Sequence, residues 1–206
     1  QQVLQRVDAQ LAHAIFSPPA RILALDAPPE NQVLVSALAH YARALAHAAD
    51  KDIDGARREI AAIERIESTA DFQPYVDWYV PGKEIVQTAR LVATARLADA
   101  RGDLAAAAGA YEAAVAIEDS LAYMEPPYWY YPIRQSLGSV YLRQGRLDAA
   151  EKVLRESLLR SRGNGWALAG LAEVYRREGD TQAEKATRQA YDRAWFGAKA
   201  PDIARL

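Results

Sequence analysis

Along most of the chain, apolar residues recur three or four positions apart, the spacing that builds one buried stripe on a helix. One stretch reads Ile133, Leu137, Val140 and Tyr141, then Gly145, then Ala149, Ala150, Val153, Leu154 and Leu158. This predicts two antiparallel helices joined at Gly145, since glycine ends a helix in the left-handed region without a Cβ penalty. Asp148 falls in the first turn of the second helix, where a negative side chain suits the helix dipole. The pattern repeats. Leu171, Ala172, Tyr175 and Gly179 stand at a constant offset of 34 from Leu137, Gly138, Tyr141 and Gly145. A third copy carries Gly102, Leu104, Ala107, Tyr111 and Ala114, with Gly102 lying 43 before Gly145, the same period plus a nine-residue insertion. A fourth, weaker copy holds Ala44, Ile53, Ala56, Ile60 and Ile63, with Lys51 in the glycine's place. Helix hairpins are therefore expected at about 37–70, 88–121, 131–164 and 165–198, after a helical segment at 1–36. Pro18-Pro19 and Pro28-Pro29 break that first segment, because proline cannot donate to the helix ladder. The connection at 71–83 and the insertion at 122–130 are rich in proline and aromatics, unlike solvated linkers.

A 34-residue helix–turn–helix period carrying Leu137-Gly138, Tyr141, Gly145 and Ala150 resembles the tetratricopeptide repeat. The unit at 131–164 departs with Arg134 for the family's tryptophan and Ser157 for its second alanine. The unit at 88–121 replaces Leu-Gly by Thr94-Ala95. The resemblance implies an all-α fold, a single α-solenoid domain over 1–206 with right-handed superhelical stacking. Two further segments, Tyr123-Met124-Glu125-Pro126-Pro127 and Asn164-Gly165-Trp166, resemble the C-terminal part of a group of long bacterial repeat proteins. That likeness leaves two readings open, a whole array or a fragment of a longer one.

Composition narrows the functional classes. With 25 basic and 27 acidic residues the net charge is −2, which gives no concentrated basic surface for nucleic acid. No run of about 18 uncharged apolar residues is present to span a membrane. The amphipathic start at 1–16 lacks the uncharged apolar stretch of a signal peptide, leaving cytoplasmic and exported locations both open. There are no cysteines, hence neither disulfides nor thiol chemistry. His40 and His47 lie two helical turns apart, too far to share a metal ion without a third ligand, so no metal is expected. Neither a glycine-rich phosphate loop nor a serine-centred elbow occurs, so neither cofactor nor enzymatic activity is expected.

Binding chemistry is better represented. In the tetratricopeptide fold the first helix of each pair lines the concave face. The slots there hold Tyr41 and Leu45; Val92, Arg96 and Asp99; Gln135, Ser139 and Arg143; and Trp166, Glu173, Arg176 and Arg177. Arginine's planar fork suits carboxylates and peptide carbonyls. None of the five lysines falls at a groove slot, which excludes the lysine-rich carboxylate clamp that some members of the family use. Residues 123–132 combine tyrosines, prolines and Trp129, either as one wall of a groove or as packing between repeats. The expected site is a partner-binding groove lined by Arg96, Tyr130, Tyr131, Gln135, Arg143, Trp166 and Arg177. The leading expectation is a protein or peptide interaction module. The alternative is a structural subunit that packs through its edges, including the apolar stripe of Tyr191, Ala194, Trp195 and Phe196, into a homo-oligomer or larger complex.

Overall fold

The computed structural model describes residues 2–26, 31–122 and 124–205. The break expected at Pro28-Pro29, and Tyr123 in the insertion, fall outside them. Among the described residues the fold is all-α, with no strand. The chain divides into two compact units, Gln1–Tyr130 and Tyr131–Leu206, where the sequence suggested one continuous array. The division falls at the end of the aromatic insertion.

The first unit holds α1 (Gln2–Phe16), α2 (Pro19–Leu23), α3 (Val33–Ala49), α4 (Ile53–Thr69), α5 (Gln73–Val76), α6 (Gly82–Ala100) and α7 (Leu104–Ser120). The second holds α8 (Ile133–Arg143), α9 (Leu147–Arg160), α10 (Gly165–Glu178), α11 (Thr181–Ala194) and a 3₁₀ turn at Ile203–Arg205. Four pairs, α3–α4, α6–α7, α8–α9 and α10–α11, pack as hairpins near the expected positions. In the first unit α6 packs on both α3 and α4; in the second, α10 packs on both α8 and α9.

The four hairpins share one turn. Gly102, Gly145 and Gly179 adopt φ of 77°, 73° and 77°, and Lys51 takes the same left-handed region at 59°. The backbone thus keeps the turn even where the sequence lacks the glycine, at the strain a Cβ brings there. In three turns the next residue is aspartate, and it caps the second helix. Asp52, Asp103 and Asp180 each accept from the backbone N–H three residues on at 2.9 Å. Those caps were not read from the sequence, although the Lys/Gly-Asp pairs signal them.

Small residues set the closeness of each pair. Ala56, Ala107 and Ala150 are fully buried, as the register requires of the last two. Gly138 adds a contact not anticipated: a Cβ there would lie 2.6 Å from Cγ and Cδ2 of Leu154, itself fully buried. Ser157, in the slot where the repeat has its second alanine, is also fully buried, and its hydroxyl has no hydrogen-bond partner among the described residues. The last helix, α11, contains no buried residue. It turns Ala183, Thr187, Ala190 and Tyr191 partly inward and leaves Gln182, Lys185, Gln189 and Arg193 exposed.

Candidate functional site

In the first unit two of the five slot residues are core, and Leu45, Arg96 and Asp99 are half-buried. Tyr41 and Val92 are fully buried, a correction to their expected place on an open face: each pair is tight enough that these slots point into packing. Tyr41 is covered by the insertion. Trp129, 4% exposed, meets it edge-on at 5.3 Å between ring centres, and the hydroxyls of Tyr41 and Tyr130 lie 2.5 Å apart. Tyr130 is half-buried and stacks obliquely on Trp129. Tyr128 donates to the carbonyl of Tyr79 at 3.1 Å. Arg96 is half-buried on α6 with its guanidinium 6.0 Å from the Tyr111 ring centre. The end of the insertion is thus packing material, with Tyr128 and Tyr130 keeping partial exposure, while 124–127 stay exposed.

The remaining five expected site residues lie in the second unit. Gln135 is buried on α8 and accepts from the side chain of Asn164 at 2.8 Å. Asn164 in turn caps α10 by accepting from the N–H of Trp166 and Ala167. Gln135 therefore fixes the start of α10 against α8. Tyr131 is half-buried, its hydroxyl 3.5 Å from the Ser136 hydroxyl that donates to it. Trp166 is half-buried as well, meeting Trp195 edge-on at 5.2 Å, and Trp195 stacks on Tyr191 at 5.8 Å. The apolar stripe considered as an assembly edge is thereby folded largely onto α10, with Phe196 left exposed.

Arg143, at the end of α8, is half-buried. Arg177 donates through Nε to Glu173 at 2.6 Å and through Nη1 to the Leu142 carbonyl at 2.8 Å, tying α10 to the C-terminal end of α8. Arg176 grips the same carboxylate with two hydrogen bonds of 2.7 Å. The Arg176 hydrogen bonds, assisted by Arg177, outweigh burial and hold the Glu173 carboxyl down at about 2. Two arginines expected to be free for a ligand are thus neutralised by one glutamate.

Ser139 has the partner most distant in sequence of the slot residues in this unit. It is 2% exposed, and its hydroxyl donates to the backbone carbonyl of Ile203 at 2.5 Å. The segment after α11 has returned across the unit to sit on α8. On the way, Trp195 donates from Nε1 to the Lys199 carbonyl at 2.8 Å, Pro201 and Ile203 are half-buried, and Asp202 caps the final turn through the Ala204 N–H at 3.0 Å. Nothing in the periodicity signals this, because the repeat pattern ends at α11. Yet both units are built alike: in each, the stretch after the last helix folds back onto a slot of the first pair's first helix, Tyr41 in one and Ser139 in the other.

Two more features escaped the sequence reading. Trp78 and Tyr79, in the aromatic connection, are 82% and 88% exposed, and Tyr79 holds a positive φ of 58°. On α3 and α4, His40 Nδ1 sits 2.6 Å from Glu59 and Arg43 Nε donates to it at 3.0 Å, while His47 pairs with Asp52 at 2.8 Å. Burial pushes the Glu59 carboxyl up, and the His40 and Arg43 hydrogen bonds outweigh it, leaving a net lowering. The two histidines thus serve carboxylates. Among the described residues no group of three or more histidine or acidic side chains is placed to hold a metal ion. None of their helices is long and apolar enough to cross a membrane. No family model, curated protein or solved structure matches the chain.

Proposed function

We propose that the chain is a helical-repeat protein of the tetratricopeptide kind, its pairs stacked within each unit in that family's right-handed sense. Its role is that of an interaction module, with no catalysis, that binds an extended protein segment on the first-helix face of a unit. The register supports the fold reading: left-handed turns at Lys51, Gly102, Gly145 and Gly179, and fully buried alanines at 56, 107 and 150. One observation carries the binding reading, the hydrogen bond from Ser139 on α8 to the main-chain carbonyl of Ile203. A slot hydroxyl that takes a peptide carbonyl uses chemistry available in any extended segment, while neighbouring aromatics supply contact area. The partner is a protein or peptide, neither nucleic acid nor membrane. Selection from a displayed random-peptide library tests this. Peptides sharing a motif should be enriched, and Arg143→Ala or Tyr131→Ala should weaken them about tenfold, a change of about 1.4 kcal/mol. Failure to enrich any peptide would remove the reading.

The alternative, an assembly subunit, rests on Trp78 and Tyr79. Large aromatics so exposed are typical interface anchors, and the backbone of Tyr79 is held where a side chain is strained. A dimer or larger species in sedimentation that Trp78→Ser returns to monomer would favour it over the groove.

A further inference from the structure

The segment seated on Ser139 identifies what the face accepts. Resting on the reading of that face as a binder of extended segments, we propose that residues 199–205 are its resident occupant in cis. The partner in trans is then a peptide of the same chemistry, a proline, an acidic residue and a β-branched apolar residue in succession, entering a turn as Ile203–Arg205 does. Each position has a role in the structure. Pro201 is half-buried and has no N–H to leave unsatisfied. Asp202 stays exposed and accepts from the Ala204 N–H at 3.0 Å, closing the turn that presents the next carbonyl. Ile203 brings a half-buried side chain and the carbonyl that Ser139 binds at 2.5 Å. Upstream, Trp195 is fixed against Trp166 and Tyr191 and donates to the Lys199 carbonyl, so the segment leaves α11 already aimed at α8.

Tethering makes this occupant hard to displace. A short flexible tether holds its segment at an effective concentration on the order of millimolar. If the site binds the free peptide with a Kd of about 0.1 mM, the tether weakens apparent binding in trans roughly tenfold. Unseating the segment should restore that factor. The side chain of Ile203 is the place to act, since the Ser139 hydrogen bond goes to its backbone and leaves the site itself unchanged.

The experiment is fluorescence anisotropy with a labelled peptide of the sequence of residues 198–206, titrated with the full chain and with Ile203→Asp. Ile203→Asp should bind the peptide about tenfold more tightly than the unaltered chain, and adding Ser139→Ala should reverse most of the gain. A peptide with aspartate at its isoleucine should not bind either protein. If Ile203→Asp does not melt cooperatively, the milder Ile203→Ser makes the same comparison. Equal binding to both proteins, or none to either, overturns the inference. A random-peptide selection on the same Ile203→Asp chain separates the two levels. Enriched peptides unrelated to Pro201, Asp202 and Ile203 leave the functional reading standing without this inference, and no enrichment removes both.

Discussion

Gly138→Ala tests how tightly α8 and α9 approach. In an unobstructed helix this change stabilises, because alanine exceeds glycine in helix propensity by about 0.8–1 kcal/mol. At position 138 the new methyl would lie 2.6 Å from both Cγ and Cδ2 of Leu154. Leu154 is fully buried, so it cannot swing into solvent to make room. Overpacking of this kind costs about 1–3 kcal/mol, so the net effect is a loss of about 1 kcal/mol. Gly109 on α7 supplies the control: it is exposed, and a Cβ there meets nothing within 4 Å. Gly109→Ala should therefore gain about 0.5–1 kcal/mol. Urea unfolding followed by circular dichroism reads both, provided m is unchanged. Leu154→Ala alone should cost about 2–5 kcal/mol, and in that background Gly138→Ala should become stabilising, because its obstacle has gone. Equal stabilisation by Gly138→Ala and Gly109→Ala would refute the close approach.

Three other substitutions probe the same architecture. Lys51→Gly should stabilise by about 0.5–1 kcal/mol in urea unfolding, since it relieves a side chain held at φ 59°; a loss would mean the fourth turn differs from the others. Ala150→Leu should cost about 1–3 kcal/mol, because Ala150 is fully buried where α9 meets its partner, and a variant melting at the unaltered temperature would contradict that register. Glu173→Gln should separate from the unaltered chain as a function of pH. The folded carboxyl sits at about 2, below its ordinary value, so its contribution is complete above about pH 4.5 and fades as pH falls towards 2. The stability difference between the two proteins should follow that course; a pH-independent difference would show that the Arg176 and Arg177 pairing is not what Glu173 contributes.

The sequence made the hairpins legible because their determinants are local and periodic. Tyr111, Tyr141 and Tyr175 mark buried stripes, and Gly102, Gly145 and Gly179 mark turns whose backbone demands them. Even Lys51 was placed correctly by register alone. The candidate site was less legible, because its determinants are not periodic. Slot position assigns Tyr41 and Val92 to an open face, but exposure depends on what covers a slot, and both are buried. Gln135 and Arg177 were expected to meet a ligand on the strength of residue type. They are engaged instead by Asn164 and Glu173, partners 29 and four positions away. Ile203 could not be read at all, since its role depends on a chain reversal after the last repeat.

The most direct measurement of the binding claim is a two-dimensional amide NMR titration of the Ile203→Asp chain with the 198–206 peptide. Residues of the α8 and α10 face, among them Gln135, Ser139, Arg143 and Trp166, should shift together and saturate on one isotherm. The first unit's Trp78 and Tyr79 should stay still. Shifts gathered around Trp78 and Tyr79, or a spectrum that does not change, would contradict it.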